Sequence, residues 1–267
     1  RSRVAVKAGQ VTLGCKECSS FKQLINQWRK AMKWGEGLDL ALSVMLASVT
    51  STKAVGDQLW AKIIGPAGSG KSTLCEALSV NKTYVLAKST IRGFHSGYMS
   101  DADGSKDNSL TSMLDGKTLI TKDGDTLLQS PNLGQILSEA RDIYDRTARV
   151  NYRNGVNREY EALSMTWLLC GTSSLRSIDS SELGERFLDC VIMDGIDDEE
   201  EDEILLRVAN RVDKSLSLEI GNAENQDEPE MMLAKQLTGG YVDYLRQNAG
   251  HLIAAVRADE AALKRCI

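Results

Sequence analysis

The sequence predicts an α/β fold: a five-stranded parallel sheet flanked by helices, with an all-helical C-terminal part. Three observations in the 267 residues carry that prediction. Gly65-Pro66-Ala67-Gly68-Ser69-Gly70-Lys71-Ser72-Thr73 fits the pattern G-x-x-x-x-G-K-[ST] without substitution, and it lies between an apolar run and a helix opening. Apolar runs suited to buried strands recur through the middle of the chain, separated by segments with helical spacing. The run Lys117–Thr121 ends close to Asp123, a carboxylate at the edge where parallel α/β sheets bind ligands.

Composition sets the frame. The net charge is −5 with 26% charged residues, so the chain as a whole is not a basic nucleic-acid coat. Any such contact would be local or built from several subunits. No export signal and no 18-residue apolar span is visible, which predicts a soluble, cytoplasmic protein with no membrane partner. Of the six cysteines, Cys75, Cys170 and Cys190 sit in apolar runs and suit reduced core thiols. The chain opens at Arg1 without Met, and helical patterning runs to Ile267, so we expect a piece of a longer protein.

Three regions follow: a mostly helical N-terminal extension (1–57), a nucleotide-binding α/β domain (58–195) and a helical lid (196–267). In the first, Val4–Val6 and Val11–Leu13 read as short strands. Cys15-Lys16-Glu17-Cys18 is half of a zinc pattern that lacks a second pair nearby. Phe21–Trp34 and Leu38–Val49 read as helices, broken at Gly35-Glu36-Gly37.

In the second region, strands are expected at Gln58–Ile64, Lys82–Lys88, Lys117–Thr121, Met165–Thr172 and Phe187–Met193. Thr73–Leu78 opens a helix, and Ser89–Asn108 is a polar, Gly-containing loop. Pro131–Val150 reads as one helix with Arg141, Asp142, Asp145, Arg146 and Arg149 on its charged face. Asn154-Gly155 within Asn151–Tyr160 signals a hairpin, and Leu175–Leu183 reads as a short helix or loop. In the third region the acidic run Asp197–Asp202 reads as a solvated face before a helix. Glu219–Glu230 is a loop, and Glu230–Leu237, Tyr241–Asn248 and Asp259–Ile267 are helical.

The loop's chemistry follows from its residue types. Gly65, Gly68 and Gly70 let backbone N–H groups turn toward a phosphate, with Pro66, Ala67 and Ser69 between them. The following helix, opening near Thr73, adds about half a positive charge at its start. Lys71 suits the β- and γ-phosphate oxygens and the Ser72 hydroxyl suits Mg²⁺, so ATP with Mg²⁺ is the expected pair. Asp123 would hold Mg²⁺ through water. Asp125 stands one position beyond the place where hydrolytic motors carry a water-orienting Glu. Thr172, at a strand tip, could sense the γ-phosphate, with Ser173 as second choice. Arg186, ahead of the fifth strand, could reach a neighbouring subunit's γ-phosphate; pairing with Glu182 or Glu185 is the alternative.

Phosphate loop, Asp123 strand, Thr172 strand, Arg186-Phe187 and a helical C-terminal part together resemble the AAA+ ATPase family from about Trp60 to Asn248. The resemblance implies strand order 5-1-4-3-2, a lid over the nucleotide, and a homo-oligomeric ring, usually a hexamer, with ATP between subunits. It also implies a lid arginine, for which Arg246 is the candidate. The hairpin ahead of the sensing strand resembles that of minichromosome maintenance helicases and related phage or plasmid replication proteins. There it projects into the ring pore, so Tyr152, Arg153 and Arg158 are the candidate DNA contacts. A ring-forming helicase or replication-linked remodeller is the leading expectation. The alternatives are an ATP-dependent assembly platform with slow hydrolysis, favoured by Asp123-Gly124-Asp125 replacing the usual Asp-Glu, and a small-molecule P-loop kinase.

Overall fold

The computed structural model describes residues 14–54, 56–98, 107–178, 186–192 and 229–258. The strands expected at residues 4–6 and 11–13, the acidic run, residues 219–228 and the helix after residue 258 lie outside them.

Two helices come first, α1 (Phe21–Ala31) and α2 (Glu36–Ser51). The Ser20 side chain caps α1 by accepting from the Gln23 N–H, and Leu24, Ile25, Trp28 and Ala31 form its buried face. The sheet strands are β1 (Trp60–Ile64), β2 (Val85–Lys88), β3 (Thr118–Thr121), β6 (Thr166–Gly171) and β7 (Phe187–Val191). Between them run α3 (Lys71–Ser79), α4 (Gly124–Leu128), α5 (Leu133–Tyr144) and a separate hairpin of β4 (Ala148–Asn151) and β5 (Asn157–Tyr160). A final helix, α6, spans Pro229–Ala258.

The sheet is parallel throughout and runs β2-β3-β6-β1-β7. This differs from a plain 5-1-4-3-2 over all strands, because β4 and β5 intervene in the chain without joining the sheet. With the hairpin set aside, the five sheet strands read from β7 stand as fifth, first, fourth, third and second. β6 is central and every residue of it is buried, as expected for a parallel strand covered on both faces.

Alternation along the strands divides the core in two. Ala61, Ile63, Leu168 and Cys170 face a cluster shared with α1, α2, α3 and α6. Trp60, Ile64, Trp167 and Leu169 face a second cluster with α5 and the loop after β2. Each buried indole there finds an acceptor: Trp60 Nε1 donates to the Met165 carbonyl at 3.0 Å and Trp167 Nε1 to Thr121 Oγ1 at 2.9 Å.

Two helices depart from expectation. α5 stops at Tyr144 instead of running to Val150, because Arg146 adopts φ +67°. A left-handed residue ends a helix, and β4 starts two residues later. The second departure is α6, one unbroken helix packed along α1, α2 and α3 where separate lid helices were expected. Gly239 and Gly240 do not break it; they admit the chain beside them. A Cβ on Gly240 would sit 1.7 Å from the Lys16 carbonyl oxygen, and the Lys16 N–H donates to the Gln236 carbonyl at 3.0 Å. The Cys15–Cys18 stretch is therefore pinned against α6, and among the described residues no cluster of three ligand-type side chains could hold a metal.

Candidate functional site

The parallel sheet brings the turns after β1, β3 and β6 to one edge. After β1 the chain crosses Gly65–Gly70 into α3. Gly68 and Gly70 both have φ +83°, a conformation that is cheap only for glycine. A Cβ on Gly65 would lie 2.8 Å from Ser69 Oγ and 3.2 Å from Ile192 Cβ, so the loop closes tightly on the end of β7. Gly70 caps α3 without a side-chain bond. The helix start thus keeps its backbone donors and positive dipole end free of a side-chain cap. Lys71 folds back over the loop. Its Nζ donates to the Gly65 carbonyl at 2.6 Å, the Pro66 carbonyl at 2.5 Å and Ser69 Oγ at 3.0 Å. Pro66, Ala67 and Ser72 are exposed at this edge and Thr73 is half-buried. Met32 and Leu38, from the α1–α2 connection and the start of α2, approach to 3.2 Å of where a Gly70 Cβ would stand. That contact has no signature in the sequence.

The acidic side is arranged differently from expectation. Asp123 is exposed and caps α4, accepting from Thr126 N–H at 3.0 Å and Thr126 Oγ1 at 2.5 Å. Asp125 takes the inward place. It accepts from the Thr172 N–H at 3.0 Å, from Thr172 Oγ1 at 2.9 Å and from Ser174 Oγ. Burial alone would raise the Asp125 carboxyl, but the Ser174 and Thr172 hydrogen bonds, with the Lys71 charge, hold it below the usual carboxylate range. Gly124 makes this register possible. A Cβ there would meet Leu175 Cδ2 at 2.8 Å, Leu169 Cδ1 at 2.9 Å and the Cys170 carbonyl at 3.0 Å. The Asp-Gly-Asp departure is thus a packing requirement that lays α4 on β6. Thr172 meets Asp125 at that edge through both its N–H and its hydroxyl. Ser174 supplies the second hydroxyl on Asp125.

Arg186 is engaged within its own chain; Glu182 and Glu185, its expected alternative partners, lie outside the described residues. Its guanidinium donates to both Asp145 oxygens, at 3.1 and 3.2 Å, and lies 5.2 Å from the Tyr144 ring centroid. Arg246 is not near the loop at all. It is buried, stacks on Tyr84 at 4.6 Å, and donates to Thr52 Oγ1, to the Val49 carbonyl at 3.4 Å and to the Gly116 carbonyl at 3.0 Å. Tyr84 and Gly116 precede β2 and β3, so Arg246 stands at the opposite end of the sheet from Gly65–Gly70. Position in sequence suggested a lid arginine; α6 packing on the core carries it elsewhere.

The hairpin forms, with Gly155 at φ +84° in its turn. It is clasped by the loop after β2. Asn154 Nδ2 donates to the Gly97 carbonyl at 2.7 Å, and Tyr152 lies so close over Gly97 that a Cβ there would be 2.6 Å from the ring. Asp107 accepts from Tyr160 Oη at 2.6 Å and pairs with Arg158 at 3.4 Å. The His95 ring stacks on Tyr160. Of the three expected DNA contacts, Arg153 is exposed, whereas Tyr152 and Arg158 are half-buried against their own chain. Nothing in the sequence singled out Asp107.

These features define an α/β protein on a five-stranded parallel sheet, with a glycine loop from β1 to α3 and a carboxylate–hydroxyl cluster beside it. No protein-family model and no curated protein matches the chain. Among solved structures, the A-form apo structure of the NrS-1 C-terminal region is similar at 12% identity and TM-score 0.45, over 88% of this chain and 48% of that one. The chain spans about half of that structure's length. A likeness at that level says nothing about which residues act. Among the described residues no helix is long and apolar enough to cross a membrane.

Proposed function

We propose that the chain binds Mg-ATP at Gly65–Thr73 and works as an AAA+-type ATP-dependent assembly switch with slow turnover as an isolated chain. The observation that carries this is the pairing of an uncapped, glycine-opened helix and Lys71 with an ionised Asp125 at the same sheet edge. Lys71 would exchange the Gly65 and Pro66 carbonyls for phosphate oxygens. Ser72 and Asp125 offer the hard oxygen ligands that Mg²⁺ prefers, and the ion would neutralise phosphate charge there. Turnover is slow in this reading because Asp125 is held by Thr172 and Ser174 and Arg186 by Asp145. Both must be re-aimed before they can serve hydrolysis. Binding of a fluorescent ATP analogue with Mg²⁺, for the parent and Lys71→Ala, tests the site; equal affinity in the two would end the proposal. Released inorganic phosphate, with no phosphorylated nucleotide, separates it from a kinase.

The second reading is a ring-forming motor on nucleic acid, with Arg186 completing a neighbour's site. The exposed Arg153 at the hairpin tip favours it. It expects nucleic-acid-stimulated ATPase and ATP-dependent oligomers, with Arg186→Ala binding ATP but losing turnover. Assembly without strand unwinding would leave the switch and remove the motor.

A further inference from the structure

Between α1 and α6 lies a groove of about 530 Å³, lined by Lys22, Gln23, Asn26, Gln27, Lys30 and the apolar floor Leu233 and Leu237. It is separate from the glycine loop and the hairpin. Its wall is one face of α1. Lys22, Asn26 and Lys30 recur at helical spacing and are exposed, with Gln23 beside them. α1 contains no Asp or Glu and carries Arg29 as well, and its flanks add Lys16 and Lys33 against Glu17; the facing helix contributes Glu230 in its first turn. In a chain of net charge −5 this is a local reversal of sign. Arg29 faces Asp39 at 3.5 Å, which leaves Lys22 and Lys30 as the cations of the groove itself.

We infer that this groove binds a single-stranded nucleic acid, its phosphates on Lys22 and Lys30. The two lysines are two turns apart, about 12 Å along the axis. A stacked strand covers that distance in roughly three to four nucleotides. The carboxamides of Gln23, Asn26 and Gln27 each carry a donor and an acceptor, which matches base edges. An acidic peptide would need cations only, and would leave those amides and the leucine floor without a role. Gln27 already spends Nε2 on the Glu230 carbonyl at 3.1 Å, so its oxygen is what it has left to offer a ligand's donor. A recessed groove between two helices suits a flexible strand over a rigid duplex. The ligand class rests on the nucleic-acid reading above; the site does not depend on ATP.

The test is fluorescence anisotropy with a labelled oligothymidylate of about 20 nucleotides, without ATP, over a salt series. The parent should bind at low salt, and Lys71→Ala should bind equally. Lys22→Glu/Lys30→Glu should weaken binding by about tenfold or more and reduce the slope of log K against log salt by about 1.4, the value for two lost phosphate contacts. If that reversal lowers the melting temperature, Lys22→Gln/Lys30→Gln replaces it, with the same slope expected. Absence of parent binding at low salt, an unchanged slope, or polyglutamate competing as well as the oligonucleotide overturns the inference. Loss of ATP binding in Lys71→Ala bears on the loop alone, so the two failures are distinguishable.

Discussion

Replacing Arg246 by alanine separates a structural arginine from a nucleotide-sensing one. The guanidinium is buried in α6 and joins three elements: the end of α2 through Val49 and Thr52, the turn before β3 through Gly116, and Tyr84 before β2 through its ring. Burial pulls its pKa down, against a raising influence of Tyr84, which reports the cost of keeping the charge there. Alanine removes that cost. It also strands buried carbonyls, at about 1–3 kcal/mol each, and forfeits the stacking, worth about 2 kcal/mol when desolvated. The net loss is about 3–5 kcal/mol, in line with breaking other buried charged contacts. At about 2–4 °C per kcal/mol for a chain of this size, the melting temperature should fall by roughly 10 °C. Differential scanning calorimetry reads that fall, and nucleotide titration well below the transition should find ATP affinity unchanged. A variant that melts like the parent but binds ATP tenfold more weakly would refute the reasoning and restore Arg246 to the site.

Asp125→Asn should cut Mg-ATP turnover sharply, while Asp123→Asn should keep it and cost no more than about 1 kcal/mol of capping stability; steady-state phosphate release and urea melts read the two effects. Asp125, held below the usual carboxylate range, contributes stability above its unfolded pKa that disappears as pH falls through its lower folded value; a ¹³C carboxyl titration of Asp125 with its midpoint at or above that of a model peptide would contradict this. His95 has the same proton preference in a higher pH window: burial lowers its pKa despite Glu139, Asp142 and Asp107 nearby, so the unfolded chain binds the extra proton. Stability should therefore be full above about pH 6.5 and decline below it, and His95→Gln should flatten that decline in urea midpoints. Gly240→Ala should unseat the Cys15–Cys18 stretch from α6, since the clash is with backbone; a loss above about 1 kcal/mol in thermal melts is expected.

What was legible in the sequence is what local chemistry dictates. The glycine loop, the alternating strands and the Asn154-Gly155 hairpin each follow from short-range rules, and all three are present at the expected residues. What was not legible depends on contacts distant in sequence. Asp123 and Asp125 are equivalent by pattern. Only the approach of Leu169 and Leu175 to Gly124 decides which carboxylate turns inward. The end of α5 hid for a related reason. Arg146 gave no glycine-like signal, yet it takes the left-handed turn and donates to the Ala54 and Gly56 carbonyls across the chain. The expected helices left residues 238–240 between them, because the contact that suits Gly240 to one continuous helix, the Lys16 backbone, lies more than two hundred residues away.

The charged groups proposed to act on ligands already have partners in this chain, and the strength of each pairing decides which are available. Arg186 and Asp145 are 24% and 55% exposed, so opening their pair costs about 0–1 kcal/mol, little against a triphosphate's charge. The ion pair alone is a weak hold, and the Tyr144 ring 5.2 Å away is a further contact that Arg186 must leave to reach a neighbour's phosphate. Arg158 and Asp107 are 10% and 21% exposed, and Asp107 also holds Tyr160. Breaking that pair would strand a poorly solvated charge, at a cost of several kcal/mol. A nucleic-acid strand would have to return that much before it gained any affinity. Arg158 accordingly fastens the hairpin to the loop after β2, and contact at the tip falls to Arg153. By the same comparison, Lys22 and Lys30 are the cheaper cations for a phosphate backbone, because their groove already exposes them to solvent.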